Sequence, residues 1–448
     1  MASVGVVGAG AAGLAGAFRL MLLGHDVTVY EGSHRAGGMV RSERRDGFLA
    51  EHGPNSMQAP AGAVARLFRD LSLDQRRVDA SPSARNRYVV RHGRLEPLPL
   101  SPPALLTSPL LSLRGKLALA TEPFTRAAPA GEESIAAFVR RRMGREFLDY
   151  VAAPFVSGIY AGDPESLSMR HALPRIHAFE REHGSVLRGA IRRARVGTRP
   201  APLLSFRDGL EELTSRLSAA LGDRVKLDAP VTAVRREENR WSVVTPAAEA
   251  RHDAVLLAAP AHALARLRVD ARQGDRLAEL RDIPHSPVAV LVLGLRREDV
   301  EHPLDGFGLL APTVEGRRVL GVVFSSTVFP GRAPEGHVTL SVFMGGTLQP
   351  EVAALDTDAL QELALRELGE LLGVNATPVF RAHAHWPQAI PQYVVGYDRF
   401  TAVLDAIESA NPALRFAGSY RHGVALGDAL GSGLDAADAL HVRLPPHG

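Results

Sequence analysis

Cysteine is absent from this chain, and aromatic residues make up only 6% of its 448 residues. Without cysteine the protein has no disulfide, no thiolate metal site, no catalytic thiol and no cofactor attached through cysteine. Such a composition is typical of proteins in a reducing cytoplasm, and we expect a cytoplasmic location. With 46% hydrophobic residues, the chain is large enough for two or three domains with more than one core.

Long hydrophobic runs are scarce, and neither of the two uncharged stretches fits a membrane signal. Residues 1–18 lack the basic start of a signal peptide, and their glycines belong to a motif described below. Pro97–Leu113 is interrupted by five prolines, and Arg114 and Lys116 follow at once. It is too short and too broken to span a bilayer. The sequence therefore predicts neither a signal peptide nor a transmembrane helix.

Neither sign of charge is in large excess over the whole chain, whose formal net charge is +3. Met169–Arg207 departs from this balance, since it contains nine arginines and two glutamates. Together with the nearby apolar stretch Leu98–Leu119, it indicates peripheral docking on an anionic surface such as the inner face of the cell membrane. A solvated helical face has the same pattern. No basic motif interleaved with aromatic residues is present, so nucleic-acid binding is not expected.

The first thirty-one residues predict a dinucleotide-binding βαβ unit. Val4–Val7 is a short apolar strand, Gly8-Ala9-Gly10-Ala11-Ala12-Gly13 a tight turn, Leu14–Leu23 a helix, and Val27–Tyr30 a second strand that ends in Glu31. In such a unit the first glycine permits the turn, the second lets the backbone approach a pyrophosphate, and the third lets helix and strand pack closely. Free N–H groups at the helix N-terminus bind the phosphates. The terminal glutamate accepts hydrogen bonds from the ribose hydroxyls.

Two further glycine-containing segments concern the identity of the cofactor. Arg35-Ala36-Gly37-Gly38-Met39-Val40-Arg41-Ser42 follows the βαβ unit, and Gly53-Pro54-Asn55-Ser56 comes shortly after it. A nicotinamide enzyme needs neither. Both resemble the flavoprotein superfamily that contains amine oxidases, phytoene desaturases and protoporphyrinogen oxidases. The resemblance implies noncovalent FAD rather than NAD.

The chain is predicted to be an α/β protein whose Rossmann-like FAD-binding domain is built from separated segments. The elements expected to join the βαβ unit are a helix over Gly209–Leu221, strands over Val225–Leu227, Val231–Arg235, Trp241–Thr245 and Ala254–Pro260, and a last strand and helix over Leu414–Ala417 and Gly433–Leu440.

Two insertions are predicted between these segments. One is helical, with helices over Ser134–Arg142, Glu146–Phe155 and His183–Arg195. The other holds strand-like runs such as Val288–Leu295, Leu320–Ser325 and Val338–Met344, which predict a mainly antiparallel substrate sheet. The expected domains are residues 1–80, 209–270 and 398–448 for FAD, residues 81–96, 200–208 and 271–397 for substrate, and residues 97–199 for a helical domain that associates with the membrane in the docking interpretation.

Five strings then follow one another in a fixed order. They are Asn86-Arg87-Tyr88-Val89-Val90, Gly158-Ile159-Tyr160-Ala161-Gly162-Asp163, Gly306-Phe307-Gly308-Leu309-Leu310, Trp386 with Ile390-Pro391-Gln392-Tyr393, and Gly418-Ser419-Tyr420-Arg421-His422-Gly423-Val424-Ala425-Leu426. Together with the N-terminal motifs they resemble the protoporphyrinogen oxidase family, the oxygen-dependent FAD enzymes of haem biosynthesis, over nearly the whole chain. Tyr397, where relatives commonly carry His, and His422 depart from the family's pattern.

The resemblance implies a porphyrinogen substrate, which is large, apolar at its centre and acidic at its edge. The residues implied at the substrate are Arg87 on a propionate, Phe307, Leu310 and Met344 on the macrocycle, and Asn55 and Gly158 near the reacting carbon. Spacing alone favours ordinary sheet-core roles for Phe307, Leu310 and Met344. The implied FAD contacts are Gly8, Ala9, Gly10, Ala11, Ala12, Gly13, Glu31, Gly38, Gly53, Pro54, Asn55, Ser56, the backbone of Val231, Trp386, Val424, Ala425 and Leu426.

The implied reaction oxidises protoporphyrinogen IX to protoporphyrin IX in successive turnovers of FAD, with O₂ as acceptor and hydrogen peroxide as by-product. The protein then mainly orients the macrocycle and excludes water, and we nominate no general base. The product would pass to a ferrochelatase. The sequence leaves the oligomeric state open, including a homodimer.

Three other functions stay open at this point. Coproporphyrinogen III oxidase of the same family would use the same chemistry on a substrate with more propionates, and hence more basic residues at the cavity. A flavin amine oxidase usually surrounds its amine with aromatic side chains, and the low aromatic content counts against it. A protein that binds FAD without catalysis would need no substrate cavity, yet the substrate-side strings are as complete as the cofactor-side ones.

Overall fold

A computed structural model describes residues 1–99, 104, 107–126, 131–195 and 201–444. Its centre is a five-stranded parallel sheet, which we call the central sheet. In spatial order its strands are Val225–Lys226, Asp26–Tyr30, Ser3–Val7, Ala254–Leu257 and Leu414–Phe416. Strands from the beginning, the middle and the end of the chain thus lie side by side, which confirms the prediction that separated segments build one sheet.

Three helices cover one face of the central sheet. Ala11–Leu22 packs between Glu211–Leu221 and Leu426–His441, and their apolar side chains form one core cluster. The contact with the last helix is a backbone contact, because a Cβ atom on Gly433 would lie 2.0 Å from the carbonyl oxygen of Ala12. Glycine at this position therefore lets the C-terminal helix come close to the N-terminal turn.

A separate four-stranded sheet covers the other face of the central sheet, and it corrects one prediction. Its strands are Glu249–His252, Arg240–Val244, Ala233–Glu237 and Arg268–Asp270. The runs predicted at 231–235 and 241–245 were expected to join the central sheet. They do not, because only one face of these strands is apolar. Trp241 and Val243 are buried against the central sheet, whereas the alternating side chains are polar, since Arg240 is exposed and the buried Ser242 donates to Glu249.

A seven-stranded sheet, which we call the long sheet, is antiparallel except for one parallel pair. Its strands, in spatial order, are Phe380–Pro391, His285–Arg296, His337–Gly345, Val319–Val323, Gly306–Leu310, Asn86–Arg91 and Arg94–Pro97. One face packs on the helix Thr357–Leu372. The other face contacts Phe48 and Ala161, which come from the segments carrying the predicted site.

Two small sheets complete the strands, Ser42–Arg45 with Phe48–Glu51, and Met57–Gln58 with Leu203–Phe206 and Arg77–Asp79. Residues 200–208 were assigned to the substrate domain, but Leu203–Phe206 pairs with strands of the 1–80 segment. The physical reason is burial, since Leu204 and Phe206 join the core cluster of the first βαβ unit.

The helical insertion consists of short helices. Within the described part of residues 97–199 these are Leu113–Ala120, Ile135–Met143, Arg145–Phe147, a π-turn at Leu148–Ala152, Ala153–Tyr160, Met169–Ala172, Pro174–His183 and Val186–Arg195. The predicted helix from His183 starts at Val186 instead, because Gly184 adopts a left-handed conformation with φ of 67° and ends the preceding helix. Among the described residues, no helix has the length and hydropathy needed to cross a bilayer.

The remaining helices connect these layers. They are Gly62–Asp70, Ala261–Leu264, Ser325–Val328, Pro350–Ala353 and Asp398–Ala410, with 3₁₀ turns at Leu73–Gln75, Glu122–Phe124, Gly222–Arg224, Gly274–Asp282, Arg297–Asp299 and Thr313–Glu315.

Candidate functional site

The glycine turn after the first strand has the geometry expected of a phosphate-binding turn. Gly8 has a φ of +102°, which strongly favours glycine. A Cβ atom on Gly13 would lie 1.9 Å from the carbonyl oxygen of Gly8, so a side chain there would break the turn. Gly10 is the N-cap of the helix Ala11–Leu22 and provides no side-chain cap. The N–H groups of Ala11, Ala12 and Gly13 at this helix N-terminus are of the kind to which a pyrophosphate binds in dinucleotide-binding units.

Glu31 and the second glycine segment lie against this turn. The backbone N–H of Ala9 donates to Glu31 Oε2 at 2.8 Å, and the Ser33 hydroxyl donates to Glu31 Oε1 at 2.8 Å. The N–H of Gly37 donates to the carbonyl of Ala9, and a Cβ atom on Gly38 would lie 3.3 Å from the Cα of Gly10. The structure thus brings Glu31 and Gly38 to the turn, as the dinucleotide-binding interpretation requires.

The Gly53–Ser56 loop is packed against the same segment. A Cβ atom on Gly53 would lie 2.1 Å from the carbonyl oxygen of Met39, so the loop approaches that segment closely. Trp386 Nε1 donates to the carbonyl of His52 at 2.6 Å and ties the loop to the long sheet. The Ser325 hydroxyl donates to Asn55 Oδ1 at 3.4 Å, whereas Asn55 Nδ2 is buried without a hydrogen-bond partner. This amide is a donor available to a bound molecule.

The remaining residues predicted to contact the cofactor, Val231 and Val424 to Leu426, lie near the central sheet. Val231 and Val424 both pack against the core cluster between the central sheet and its four-stranded cover. Ala425 is the N-cap of the helix Leu426–His441, which lies beside the N-terminal helix. The glycine turn, Glu31, the loop and this helix N-terminus come from separate segments that are assembled around the central sheet. Their backbone donors, the acidic strand end and the orphan amide fit a dinucleotide that carries a flavin.

Arg87, Phe307 and Leu310 lie on two neighbouring strands of the long sheet. Arg87 and Leu310 alternate with Tyr88 and Leu309, which pack toward the helix Thr357–Leu372, so they lie on the opposite face of the sheet. The guanidinium carbon of Arg87 lies 5.4 Å from the ring centroid of Phe307. The Cδ2 atom of Leu310 lies 3.0 Å from where a Cβ atom on Gly158 would be, so the helix Ala153–Tyr160 of the helical insertion packs against Leu310.

Met344 does not lie on this face, which corrects the prediction that it packs on a macrocycle. It is fully buried in the core between the long sheet and the helix Thr357–Leu372. Its neighbour Phe343 is only partly buried and points to the opposite face. Phe343 pairs with Gly321, which contacts Leu310. Phe343 is therefore the residue of this strand placed beside Leu310.

Tyr397, one of the two departures from the family pattern, is a well-packed residue. Its side chain is 1% exposed, and its hydroxyl donates to the carbonyl of Tyr420 at 2.8 Å. Tyr393 donates in the same way to the carbonyl of Ser419. The two hydroxyls hold the start of the Gly418–Leu426 loop. The tyrosine thus supplies a specific contact at the position where relatives commonly carry histidine, and His422 is exposed.

Sequence reasoning missed two buried charged residues beside the Gly53–Ser56 loop, Glu51 and Arg332. Their side chains are 4% and 3% exposed, and Arg332 Nη1 lies 3.4 Å from Glu51 Oε1. Burial raises the pKa of Glu51 to about 7, against the lowering effect of Arg332, Ser42 and the N–H of Leu210. Burial also lowers the pKa of the adjacent His52. Among the residues that the structure describes, no group of three or more His, Asp or Glu side chains could hold a metal ion.

Comparison with known proteins gives a family for this architecture. The family model described as flavin containing amine oxidoreductase matches residues 11–441. Protoporphyrinogen oxidase 2, chloroplastic/mitochondrial, of Arabidopsis thaliana is 35% identical and covers 98% of this chain and 93% of its own. Mitochondrial protoporphyrinogen oxidase of Nicotiana tabacum is 33% identical, over 98% of this chain and 94% of its own. Coproporphyrinogen III oxidase of Bacillus subtilis (strain 168) is 25% identical, over 97% of each.

Solved structures show the same fold. A candidate protoporphyrinogen oxidase from Exiguobacterium sp. 255-15 has a TM-score of 0.86 at 24% identity and covers 99% of both chains. Cyclohexylamine oxidase from Brevibacterium oxydans IH-35A has a TM-score of 0.71 at 17% identity, again over 99% of both chains. The central sheet and the long sheet therefore form a fold shared with proteins named as oxidases of different substrates.

Proposed function

Because this chain belongs to the flavin containing amine oxidoreductase family, and within it to the protoporphyrinogen oxidases, we propose that it oxidises protoporphyrinogen IX to protoporphyrin IX. The proposed cofactor is noncovalent FAD, the electron acceptor is O₂, and hydrogen peroxide is the by-product. The observation that carries the proposal is the stacking of Arg87 on Phe307, with Leu310 of the same strand against Gly158. A cation at the rim of an apolar face suits a macrocycle with an acidic edge.

We choose FAD because the cofactor-side elements form two separate regions. The glycine turn and Glu31 suit a pyrophosphate and a ribose, and the Gly53–Ser56 loop with Trp386 provides a second, separate region where a ring system fits. A mononucleotide would leave one of these regions unused. When bound, the flavin supplies the hydride acceptor.

The chain's own residues have distinct tasks in this proposal. Arg87 holds a propionate through its planar, two-pronged donor group. Phe307, Leu310 and Phe343 present apolar surface to the macrocycle and exclude water. The Nδ2 of Asn55 is buried without a partner, and in this proposal it donates to the bound flavin or substrate. By holding the macrocycle in one orientation, these residues accelerate the reaction.

Coproporphyrinogen III is the second candidate substrate, because a coproporphyrinogen III oxidase also matches nearly the full chain. The higher identity to protoporphyrinogen oxidases favours protoporphyrinogen IX.

The test is anaerobic mixing of the purified yellow protein with each substrate in turn. We expect protoporphyrinogen IX to bleach the flavin faster than coproporphyrinogen III or a polyamine, and acid precipitation to release the flavin as FAD. Faster bleaching by coproporphyrinogen III would assign that substrate instead. Bleaching by the polyamine alone, or release of FMN, would refute the proposal.

We also propose that the helical insertion docks peripherally on an anionic membrane surface. Leu113, Leu117 and Phe124 are 75%, 59% and 81% exposed. The helix Val186–Arg195 is linked to this region, because Glu122 accepts a hydrogen bond from the N–H of Val186 at 2.9 Å. Its Arg188, Arg192 and Ile191 are exposed. Residues 100–103, 105–106 and 196–200 of the predicted docking segments lie outside the described residues.

Binding to vesicles is expected to depend on lipid charge and on salt. Attraction to anionic lipids is screened within a Debye length of about 8 Å at physiological ionic strength, so binding should weaken steeply as salt is added. Sedimentation with anionic and neutral vesicles measures this. Equal binding to both would remove the electrostatic part of the proposal, and Phe124→Ser should weaken whatever apolar part remains.

A further inference from the structure

The buried pair of Glu51 and Arg332 is an unusual feature beside the site. Both side chains are almost completely withdrawn from water, and Nη1 and Oε1 are 3.4 Å apart. Arg332 Nη2 donates to the Ser205 hydroxyl and to the carbonyl of Phe206, and Glu51 is the carboxylate that lies beside Nη1. Removing two charges from water costs more free energy than such a pair commonly returns. A purely stabilising role therefore explains the pair poorly.

Glu51 connects segments that are far apart in the sequence. It accepts hydrogen bonds from the Ser42 hydroxyl at 2.5 Å and from the N–H of Leu210 at 2.9 Å. Leu210 immediately precedes the helix Glu211–Leu221, which packs beside the N-terminal helix. Arg332 belongs to the turn that leads into the strand His337–Gly345 of the long sheet. The pair thus links the cofactor-side elements to the sheet that carries Phe343.

The two segments that bear the pair are also joined at other points. The N–H of Leu49 donates to the carbonyl of Arg332 at 3.0 Å. At the other end, the Ser325 hydroxyl donates to Asn55 Oδ1. Residues 49–55 and 325–332 therefore run against each other, with the ion pair next to the contact of Leu49 with Arg332. Glu51 stands two residues before Gly53, so a shift of its carboxylate moves the loop directly.

We infer that Glu51 and Arg332 are a positioning pair that sets the Gly53–Ser56 loop against the substrate face of the long sheet. The inference rests on the proposed function, because the loop matters only if it orients a flavin relative to a substrate. The pair acts when both groups are charged. With Glu51 neutral, the guanidinium loses its counter-charge and the contact between loop and sheet loosens.

The protonation of Glu51 gives the pair a measurable pH dependence. Burial raises its pKa from the usual 4.5 to about 7, so the carboxyl is ionised above about pH 7 and neutral below it. The folded protein holds this proton more tightly than the unfolded chain does. The contribution of Glu51 to the free energy of unfolding therefore falls as pH rises from 4.5 to about 7. The positioning role predicts the opposite trend for the reaction rate, which should be higher above pH 7.

Other charged groups face this region, and the experiment must distinguish their effects from the titration of Glu51. Arg44 and Asp208 act on Arg332. Arg41, Glu43 and Glu211 act on His52, whose pKa is lowered by burial. Because burial lowers the pKa of His52 and raises that of Glu51, substitution of Glu51 alone identifies which of the two groups titrates near neutral pH.

The experiment compares the flavin-loaded wild type, Glu51→Gln and Asp358→Asn. Anaerobic flavin reduction by protoporphyrinogen IX is followed by stopped flow across the neutral pH range. The wild-type rate should rise through about pH 7. Glu51→Gln should be roughly 10- to 100-fold slower than the wild type at high pH and show no inflection, because a small misplacement of reacting groups has effects of that size. Asp358→Asn removes a carboxylate that is 84% exposed and paired with Arg381, and it should keep the wild-type profile.

A second readout makes the test independent of the substrate. The visible circular dichroism of the bound flavin should titrate near pH 7 in the wild type and be flat in Glu51→Gln. If porphyrinogen fails to reduce the flavin but this titration is present and Glu51-dependent, the proposed function is wrong and the positioning pair stands. An unchanged titration in Glu51→Gln overturns the inference.

A further variant covers the case in which Glu51→Gln does not fold. Arg332→Lys keeps the charge but changes its reach, and it should retain the pH inflection with a lower plateau rate. A plateau equal to that of the wild type would overturn the inference.

Discussion

Replacing Glu122 by alanine is expected to lower the free energy of unfolding of the helical insertion by about 3–5 kcal/mol, the range observed when one partner of a buried ion pair is removed. Glu122 and Arg142 are both fully buried and paired at 2.5 Å, and Glu180 lies 2.7 Å from the same guanidinium. Glu122 also accepts hydrogen bonds from the N–H groups of Val186 and Leu187. Its loss would leave Arg142 with Glu180 as the one carboxylate beside it, and the N–H groups of Val186 and Leu187 without their acceptor.

Chemical denaturation and protease susceptibility of the insertion measure this loss. The matched control is Glu165→Ala, which removes an exposed carboxylate paired with Arg140 and should change stability by about 0–1 kcal/mol. Equal effects of the two substitutions would contradict the buried-pair argument.

The protonation of Glu122 also determines the direction in which stability changes with pH. Burial raises the pKa of Glu122, but hydrogen bonds from Ser185, Val186, Leu187 and Arg142 outweigh it, and the pKa is lowered overall. The stability that Glu122 contributes is therefore complete above the usual carboxyl pKa and is lost as pH falls through the lowered one.

Arg87→Ala is expected to reduce kcat/KM for protoporphyrinogen IX by roughly 10- to 150-fold. A charge-assisted contact between Arg and a carboxylate that is partly shielded from water contributes about 1.5–3 kcal/mol. Arg87 is only partly exposed and stacks on Phe307, so its donor group is held at the rim of the apolar face. Steady-state kinetics measure the loss, and the flavin spectrum should be unchanged because Arg87 acts on the substrate side.

Two controls separate binding of a propionate from packing. Arg87→Lys should recover only part of the activity, since an ammonium keeps the charge but not the two-pronged geometry. A substrate with esterified propionates should react about equally with wild type and Arg87→Ala. An equally large loss on the ester would mean that Arg87 supports the fold through Phe307 rather than binding substrate.

The difference between Met344 and Phe343 shows where a residue role implied by a family resemblance fails. Residues that alternate along a strand lie on the same face of the sheet. In the strand His337–Gly345, Val338, Leu340, Val342 and Met344 alternate with Thr339, Ser341 and Phe343, and the first set packs toward the helix Thr357–Leu372. The spacing therefore favoured a core role for Met344, and only the resemblance placed it at a macrocycle. Glu51 was missed for a different reason, because a lone glutamate usually indicates a surface position.

The sequence by itself determined the glycine turn, Glu31 and the first βαβ unit, because each depends on contacts within a short segment. It also indicated the order of the strings that resemble the family. Only the tertiary structure decided that Arg87 stacks on Phe307, that Gly158 faces Leu310, that Leu203–Phe206 joins the first segment, and that Glu51 meets Arg332. These contacts join residues far apart in the chain. They depend on the register and crossing of whole sheets, for which local spacing carries no signal.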